Sequence, residues 1–371
     1  MSRRPSHGVS VGIALLALSG ACSKSDLIIV TDEQTDLPRP ADLLIPPSSD
    51  LGMESKDLAM PSDLASQYSC RGEDAPGTSY KLVMNKLTLP SSSGSGAFLY
   101  DYDGDGRAEN QLKNLISTVS LAGLDIQTTL QNAVTSGQLI NLVALKSSST
   151  DSSSCVGVSL NQGKPGPTPR FDGTDTFMPA MAMGSPLGGT LSSGRLVTTD
   201  SRSLKADTEA QFSLQISLGS GLVTLPLRGV HVEGTLQSSG SLRTMSSGVL
   251  HGVVAKSDIE RKLMPALADQ ITQMINSDPY SSTSQTIISL FESKTAPVSV
   301  NKCMTMSRCC RLSPATCVIL PEEVSASPIG GVIAPDVEVL DAAGKWKPVP
   351  GGKNYNAMSV GMGFTAISAW F

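Results

Sequence analysis

Phe212-Ser213-Leu214-Gln215-Ile216-Ser217-Leu218 is the stretch that decides the fold class. Apolar and polar side chains alternate strictly, the period of a half-buried β-strand. Val223, Leu225 and Leu227 repeat the pattern a few residues on. Gly229 then marks a bulge or phase change before Val230 and Val232. Working outward, residues 79–89 read as a strand ending at Pro90, and 97–100 as another. Residues 138–146 and 155–160 read as strands too, and 336–371 as closing strands that include Phe364 to Phe371. Gly189-Thr190-Leu191 is echoed at Gly234-Thr235-Leu236, either as two similar hairpins or by chance in a chain rich in Ser and Gly.

Helical spacing is confined to a few places. Leu112, Leu115, Ile116 and Val119 share one helix face, with Gly123 as a stop, and a short helix follows over 125–137. Ile259, Leu263, Leu267, Ile271 and Ile275 share another face, and Ser257-Asp258-Ile259-Glu260 has capping-box spacing. Pro265 kinks this helix or opens a second segment. The expected fold is α+β and mainly β: an antiparallel sheet or sandwich with a few packed helices. Apolar residues make up 40% of the 371, enough for a core, and aromatics only 4%.

The N-terminal segment carries an address. Arg3 and Arg4 precede a short apolar run, Val11 to Leu18, too short for a bilayer, which needs about 20 residues. Ser19, Gly20 and Ala21 are small, and Cys22 follows. This resembles a bacterial lipobox, which implies that residues 1–21 are a signal peptide and that Cys22 is acylated. The family prefers Leu where Ser19 stands. Residues 22–69 then read as a disordered, acidic tether. Asp36-Leu37, Asp42-Leu43, Asp50-Leu51, Asp57-Leu58 and Asp63-Leu64 recur with prolines between them, and Pro blocks helix and sheet alike. Residues 1–22 carry +2 and 23–69 carry -6, so 70–371 hold -1 of the total -5. A nearly neutral body with an acidic spacer offers no basic face to nucleic acid. The body divides into an α/β part over 70–165 and a β-rich part over 166–371, which can also form one domain.

Asp101-Tyr102-Asp103-Gly104-Asp105-Gly106-Arg107-Ala108-Glu109 is the one segment with metal chemistry. Carboxylates at alternate positions converge where glycines let the chain turn tightly, and Ca²⁺ takes six to eight oxygens. Asp101, Asp103, Asp105 and Glu109 are the expected side-chain ligands, with the carbonyl of Arg107 beside them. An EF-hand would need Glu where Leu112 stands. The segment resembles the calcium loops of FG-GAP propeller repeats, which carry an acid at the ninth position. One copy builds no propeller, so the resemblance implies the loop alone. Lipobox, Asp-Leu-Pro tether, this loop and Asn110-Gln111-Leu112 together resemble a group of lipoproteins of myxobacteria-like bacteria. That resemblance implies location and architecture: a cell-envelope protein, lipid-anchored to the outer membrane.

Seven cysteines are present, and lipidation of Cys22 leaves six. In an oxidising compartment these form three disulfides. The expected pairing is Cys70 with Cys155, and Cys303, Cys309, Cys310 and Cys317 among themselves. Adjacent Cys309 and Cys310 take different partners. A zinc site in this cluster would lack a Cys-x2-Cys knuckle and a nearby His.

Other chemistry is thin. His231 and His251 read as strand residues at a sheet surface or edge. No nucleophile elbow, phosphate loop or dinucleotide fingerprint occurs, and the Ser299 to Lys302 match to Ser-x-x-Lys lacks its companions. The C-terminal Phe371 suits an outer-membrane barrel, but such barrels need aromatic girdles that this chain cannot supply. The expectation is therefore a calcium-stabilised surface protein, binding a glycan or protein or serving structurally. The alternative is a secreted hydrolase using carboxylates such as Glu322, Glu323 or Asp336.

Overall fold

The computed structural model describes residues 70–91, 94–121, 125–180, 185–201, 204, 212–218, 221–291 and 318–371. The lipobox with Cys22, the tether, the Ser299 to Lys302 match and the four late cysteines lie outside these residues. The strands are β1 (Thr78–Thr88), β2 (Ile140–Ser147), β3 (Ser153–Gly163), β4 (Leu187–Ser192), β5 (Arg195–Thr198), β6 (Phe212–Leu218), β7 (Gly221–Ser239), β8 (Leu242–Ala255) and β9 (Ala357–Ser368). All pair antiparallel in one sheet of order β5-β4-β3-β2-β1-β9-β8-β7-β6, so the chain is mainly β with a few helices. Strands from both sides of residue 165 share that sheet.

The sheet closes on itself. The long β7 pairs with β6 along its first half, and its pairing with β8 shifts register between Arg228 and His231. Its second half meets β5 through Arg195↔Thr235, Leu196↔Gly234 and Val197↔Glu233. The Gly-Thr-Leu echo proves to be two hairpins: one strand of each lines this seam, and their turns fall at Ser193-Gly194 and Gly240-Ser241. Closure gives β5 a partner on each side, so that edge is covered, while β6 pairs with β7 alone among the described residues. Gly229 sits at the shift with φ 57°, and a Cβ there would lie 2.1 Å from the Trp346 ring.

Alternate residues of the strands (Leu82 and Met84 of β1, Val143 and Leu145 of β2, Leu214 and Ile216 of β6) bury into one cluster. The helices α1 (Gln111–Leu121), α2 (Ile126–Thr135), α4 (Met264–Ser277) and α5 (Ser282–Phe291) put Leu112, Leu130, Ile271 and Ile288 into the same cluster. Asp125 caps α2 by accepting from the Thr128 amide. The capping box expected at Ser257 is not formed: a short α3 (Lys256–Asp258) starts one residue earlier, with Ala255 as its uncapped entry. A π-turn over Ile259–Leu263 joins α3 to α4. Pro265 lies in the first turn of α4 and has no amide for the carbonyl four residues back, which favours a widened turn there.

Two further expectations change. The strand expected over 97–100 does not form: Ala97 ends a 3-10 turn over 94–97, and Tyr100 makes only an isolated bridge to Glu109. Over 336–356 the chain is irregular, with single bridges Val337↔Ala357 and Leu340↔Trp346, so only β9 is a full strand there. Those residues fold over the second face of β8 and β9 as a separate cluster of Tyr102, Val253, Val337, Val339 and Trp346.

Cys70 and Cys155 come together as expected, with sulfurs 2.11 Å and Cα atoms 5.1 Å apart. They tie the entry of the described chain to β3.

Candidate metal centre

The acidic loop is seated by β9. Along Ala357 to Phe364 large and small residues alternate: Met358, Val360, Met362 and Phe364 enter the main core. Ala357, Ser359, Gly361 and Gly363 leave the other face low enough for backbone to approach. A Cβ on Gly361 would lie 2.1 Å from the Phe98 carbonyl oxygen. Asn110 fills this contact. Its Nδ2 donates to the carbonyls of Ala97 (2.7 Å), Phe98 (3.2 Å) and Gly361 (3.0 Å), and its Oδ1 accepts from the Gly361 amide at 3.0 Å. Ser359 Oγ accepts from the Gln111 amide at 2.8 Å, and Leu112 is fully buried. The triplet Asn110-Gln111-Leu112 thus docks the loop's exit on β9 and starts α1.

Tyr102 anchors the loop's middle. It is fully buried, donates to the Val360 carbonyl at 2.7 Å and accepts from the Gly252 amide at 3.0 Å. Burial drives its pKa well above the ordinary phenol value, so it stays a donor. The neck is closed by two backbone bonds, Tyr100 N–H to the Glu109 carbonyl (3.1 Å) and Glu109 N–H to the Tyr100 carbonyl (3.0 Å).

Between these anchors Asp101, Asp103 and Asp105 converge, each offering an oxygen within 4.8 Å of the others. The loop's own amides orient them. Asp101 accepts from Gly104 (2.7 Å) and Gly106 (3.2 Å), Asp103 from Asp105 (3.1 Å), and Asp105 from Arg107 (2.8 Å). Gly104 and Gly106 have φ 81° and 87°, the left-handed region that glycine adopts at no steric cost. Asp103 is buried, and desolvation, with Asp105 and Asp101 beside it, raises its pKa.

Glu109 stands outside that set of three. Its Oε2 is buried without a hydrogen bond among the described residues. Desolvation and then the charges of Asp103, Asp105 and Asp336 push its carboxyl up to about 7. Asp336, remote in sequence, reaches the same neighbourhood. Its carboxylate accepts from the Ser359 amide (2.7 Å) and from the Ser359 hydroxyl, and burial raises it to about 6. Crowded carboxylates of this kind repel one another unless a cation or protons neutralise them. The oxygen-only donor set suits a hard cation such as Ca²⁺.

The other acids named from sequence do not join this group. Glu323 accepts from the Leu320 amide at 3.0 Å, as the cap of the short helix α6 (Pro321–Ala326), and Glu322 precedes it in the same first turn.

One feature escaped the sequence reading. His231 and His251 are not at a surface. They are buried cross-strand partners on β7 and β8, with ring centroids 6.0 Å apart. Tyr100 stacks 4.9 Å from each ring and meets Tyr102 edge-on at 5.0 Å. His231 Nδ1 lies 3.2 Å from Thr198 Oγ1 and from the Thr199 carbonyl, and its Nε2 lies 3.2 Å from Glu233. Arg195 pairs with that Glu233 at 3.0 Å. His251 Nδ1 is buried without a partner among the described residues. Desolvation, with His231 next to it, lowers its pKa to about 3. The available signal was context: Val230 and Val232 flank one His, and the other follows Leu250 with Val253 two residues on, as in a strand covered on both faces.

No family model matches this chain, and comparison with curated proteins and with solved structures returned no match.

Proposed function

We propose that the chain is an exported lipoprotein, anchored through acylated Cys22 and spaced from the membrane by residues 22–69. Its folded body binds one Ca²⁺ at Asp101, Asp103, Asp105 and Glu109 and serves as a binding or structural surface of the cell envelope. The calcium part rests on the three converging aspartates beside a buried Glu109 oxygen that lacks a hydrogen bond among the described residues. Calcium neutralises the loop and ties the segment ending at Tyr100 to α1. With a Kd of about 10⁻⁴–10⁻³ M, ~10 mM calcium stabilises the fold by about 1.4–2.7 kcal/mol.

Calorimetric titration and melting with and without calcium test this. The expected result is one site and a higher Tm in calcium, with both lost in Asp103→Ala. Because Glu109 titrates near 7, protons compete with the ion, and the calcium-induced rise in Tm shrinks as pH falls through that value. Absence of binding at millimolar calcium overturns the calcium part. Intact mass of the protein from its native membrane tests the anchor: a mature chain that begins elsewhere, without lipid, overturns it.

A further inference from the structure

The neck of the acidic loop and the seam of the closed sheet share one residue, Tyr100. Its backbone closes the loop against Glu109, next to Asp101. Its ring stacks on His231 of β7 and His251 of β8. Its hydroxyl donates to Asp200 Oδ1 at 2.7 Å and lies 3.2 Å from the Ser201 amide and 3.3 Å from its hydroxyl. Asp200 and Ser201 come just after Thr199, beyond the end of β5, the shortest strand among the described residues and the one that pairs with β7 to close the sheet.

That seam is thin, with three paired positions joining β5 to β7. Two further bonds flank them: the Leu236 amide to the Gly194 carbonyl (2.7 Å) and the Val232 amide to Thr198 Oγ1 (2.8 Å). Beyond Thr198 the chain is held by His231 at Thr199, by Tyr100 at Asp200 and Ser201, and by the Trp346 indole, which donates to the Ser201 carbonyl at 2.8 Å. Two of the three rings at this junction, Tyr100 and His231, also contact each other.

We propose that metal occupancy of the loop controls closure of the β5–β7 seam, with Tyr100 as the positioning residue between them. The inference rests on the calcium reading above. Without the ion, repulsion among the aspartates strains the neck, and Tyr100 loosens its hold on both the histidine pair and the end of β5. With the ion, the neck is fixed, the ring stays seated and β5 is clamped to β7. Calcium therefore acts some distance from where it binds, on the one junction that separates a closed sheet from an open one.

Hydrogen exchange of the Val232 and Leu236 amides in the full chain, with and without calcium, reads the seam directly, while calorimetry reads binding separately. Calcium is expected to slow both amides about tenfold, within the ordinary range of coupling between sites. Tyr100→Phe keeps the ring and every calcium ligand but loses the hydroxyl. It should bind calcium within about threefold of the parent while the slowing falls below about twofold. Asp200→Ala serves as a second variant with the same expected split. If calorimetry shows bound calcium and the seam amides do not respond, the coupling is wrong and the calcium reading stands. Equal slowing in the parent and both variants removes Tyr100 from the path. If the parent binds no calcium, the reading and the coupling fall together.

Discussion

Asn110 offers the sharpest test of how the loop is held. Its two amide hydrogens serve three carbonyls, those of Ala97, Phe98 and Gly361, while its oxygen takes the Gly361 amide. The side chain is 4% exposed, so water does not replace these bonds. Asn110→Ala removes three net bonds at about 1 kcal/mol each and leaves buried polar groups behind, a loss of about 3–4 kcal/mol. Phe98 adds to this. Its φ of 46° is the left-handed region, which a residue with a Cβ holds only under restraint, and Asn110 supplies part of that restraint. Asn110→Asp is the discriminating change. It matches Asn in shape and keeps the acceptor for Gly361, but turns a carboxylate oxygen towards three carbonyl oxygens. The Asp substitution is therefore expected to cost more than the Ala substitution, although it is the more conservative one. Urea unfolding at neutral pH measures both. With a slope of roughly 2–3 kcal/mol/M, the alanine variant should unfold about 1–2 M earlier. If Asn110→Asp proves milder than Asn110→Ala, the amide does not donate to these carbonyls and the docking argument fails.

Three more outcomes are expected. Gly229→Ala places a Cβ on the Trp346 ring at a left-handed φ, so it should cost about 2–4 kcal/mol by thermal melting, whereas Gly240→Ala, with open space around its Cβ, should cost only its φ strain of about 1 kcal/mol. His251 binds its proton near pH 3 when folded but near 6.5 when unfolded, so its neutral form supports the fold above 6.5. That support is lost as pH falls towards 3, by about 2 kcal/mol at roughly pH 5, and His251→Phe should show a correspondingly flatter pH–stability curve in that window. Replacing Cys70 and Cys155 together by Ser frees a loop of sequence separation 85 and should lower the urea midpoint, by up to about 4–5 kcal/mol of stability in the chain-entropy picture.

The sequence by itself determined the elements whose signals are local. Alternation from Phe212 to Leu218 specifies a half-buried strand wherever the chain folds, because successive side chains must face opposite sides. The spacing of Leu112 and Leu115 marks a helix face for the same kind of reason, and both are buried in α1. Asp-x-Asp-Gly-Asp-Gly brings its own carboxylates together, since the amides that orient them lie within the loop. Cys70 and Cys155 were legible as a pair only after the late cysteines had been set apart.

Tertiary structure decided what depends on partners far away in the chain. Closure through β5 and β7 has no local signature, since a strand reads the same at an open edge and at a seam. The two histidines looked like surface residues because alternation tells which face a side chain takes, not whether that face is covered. Here Tyr100 and residues 336–356 cover it. Asp336 joined the acidic neighbourhood for the same reason: Ser359, on the small-residue face of β9, fixes a carboxylate that the sequence offered only as a candidate hydrolase acid. Periodicity reports a chain's relation to its own neighbours. Which surfaces meet is set by burying apolar area and satisfying buried polar groups across the whole fold.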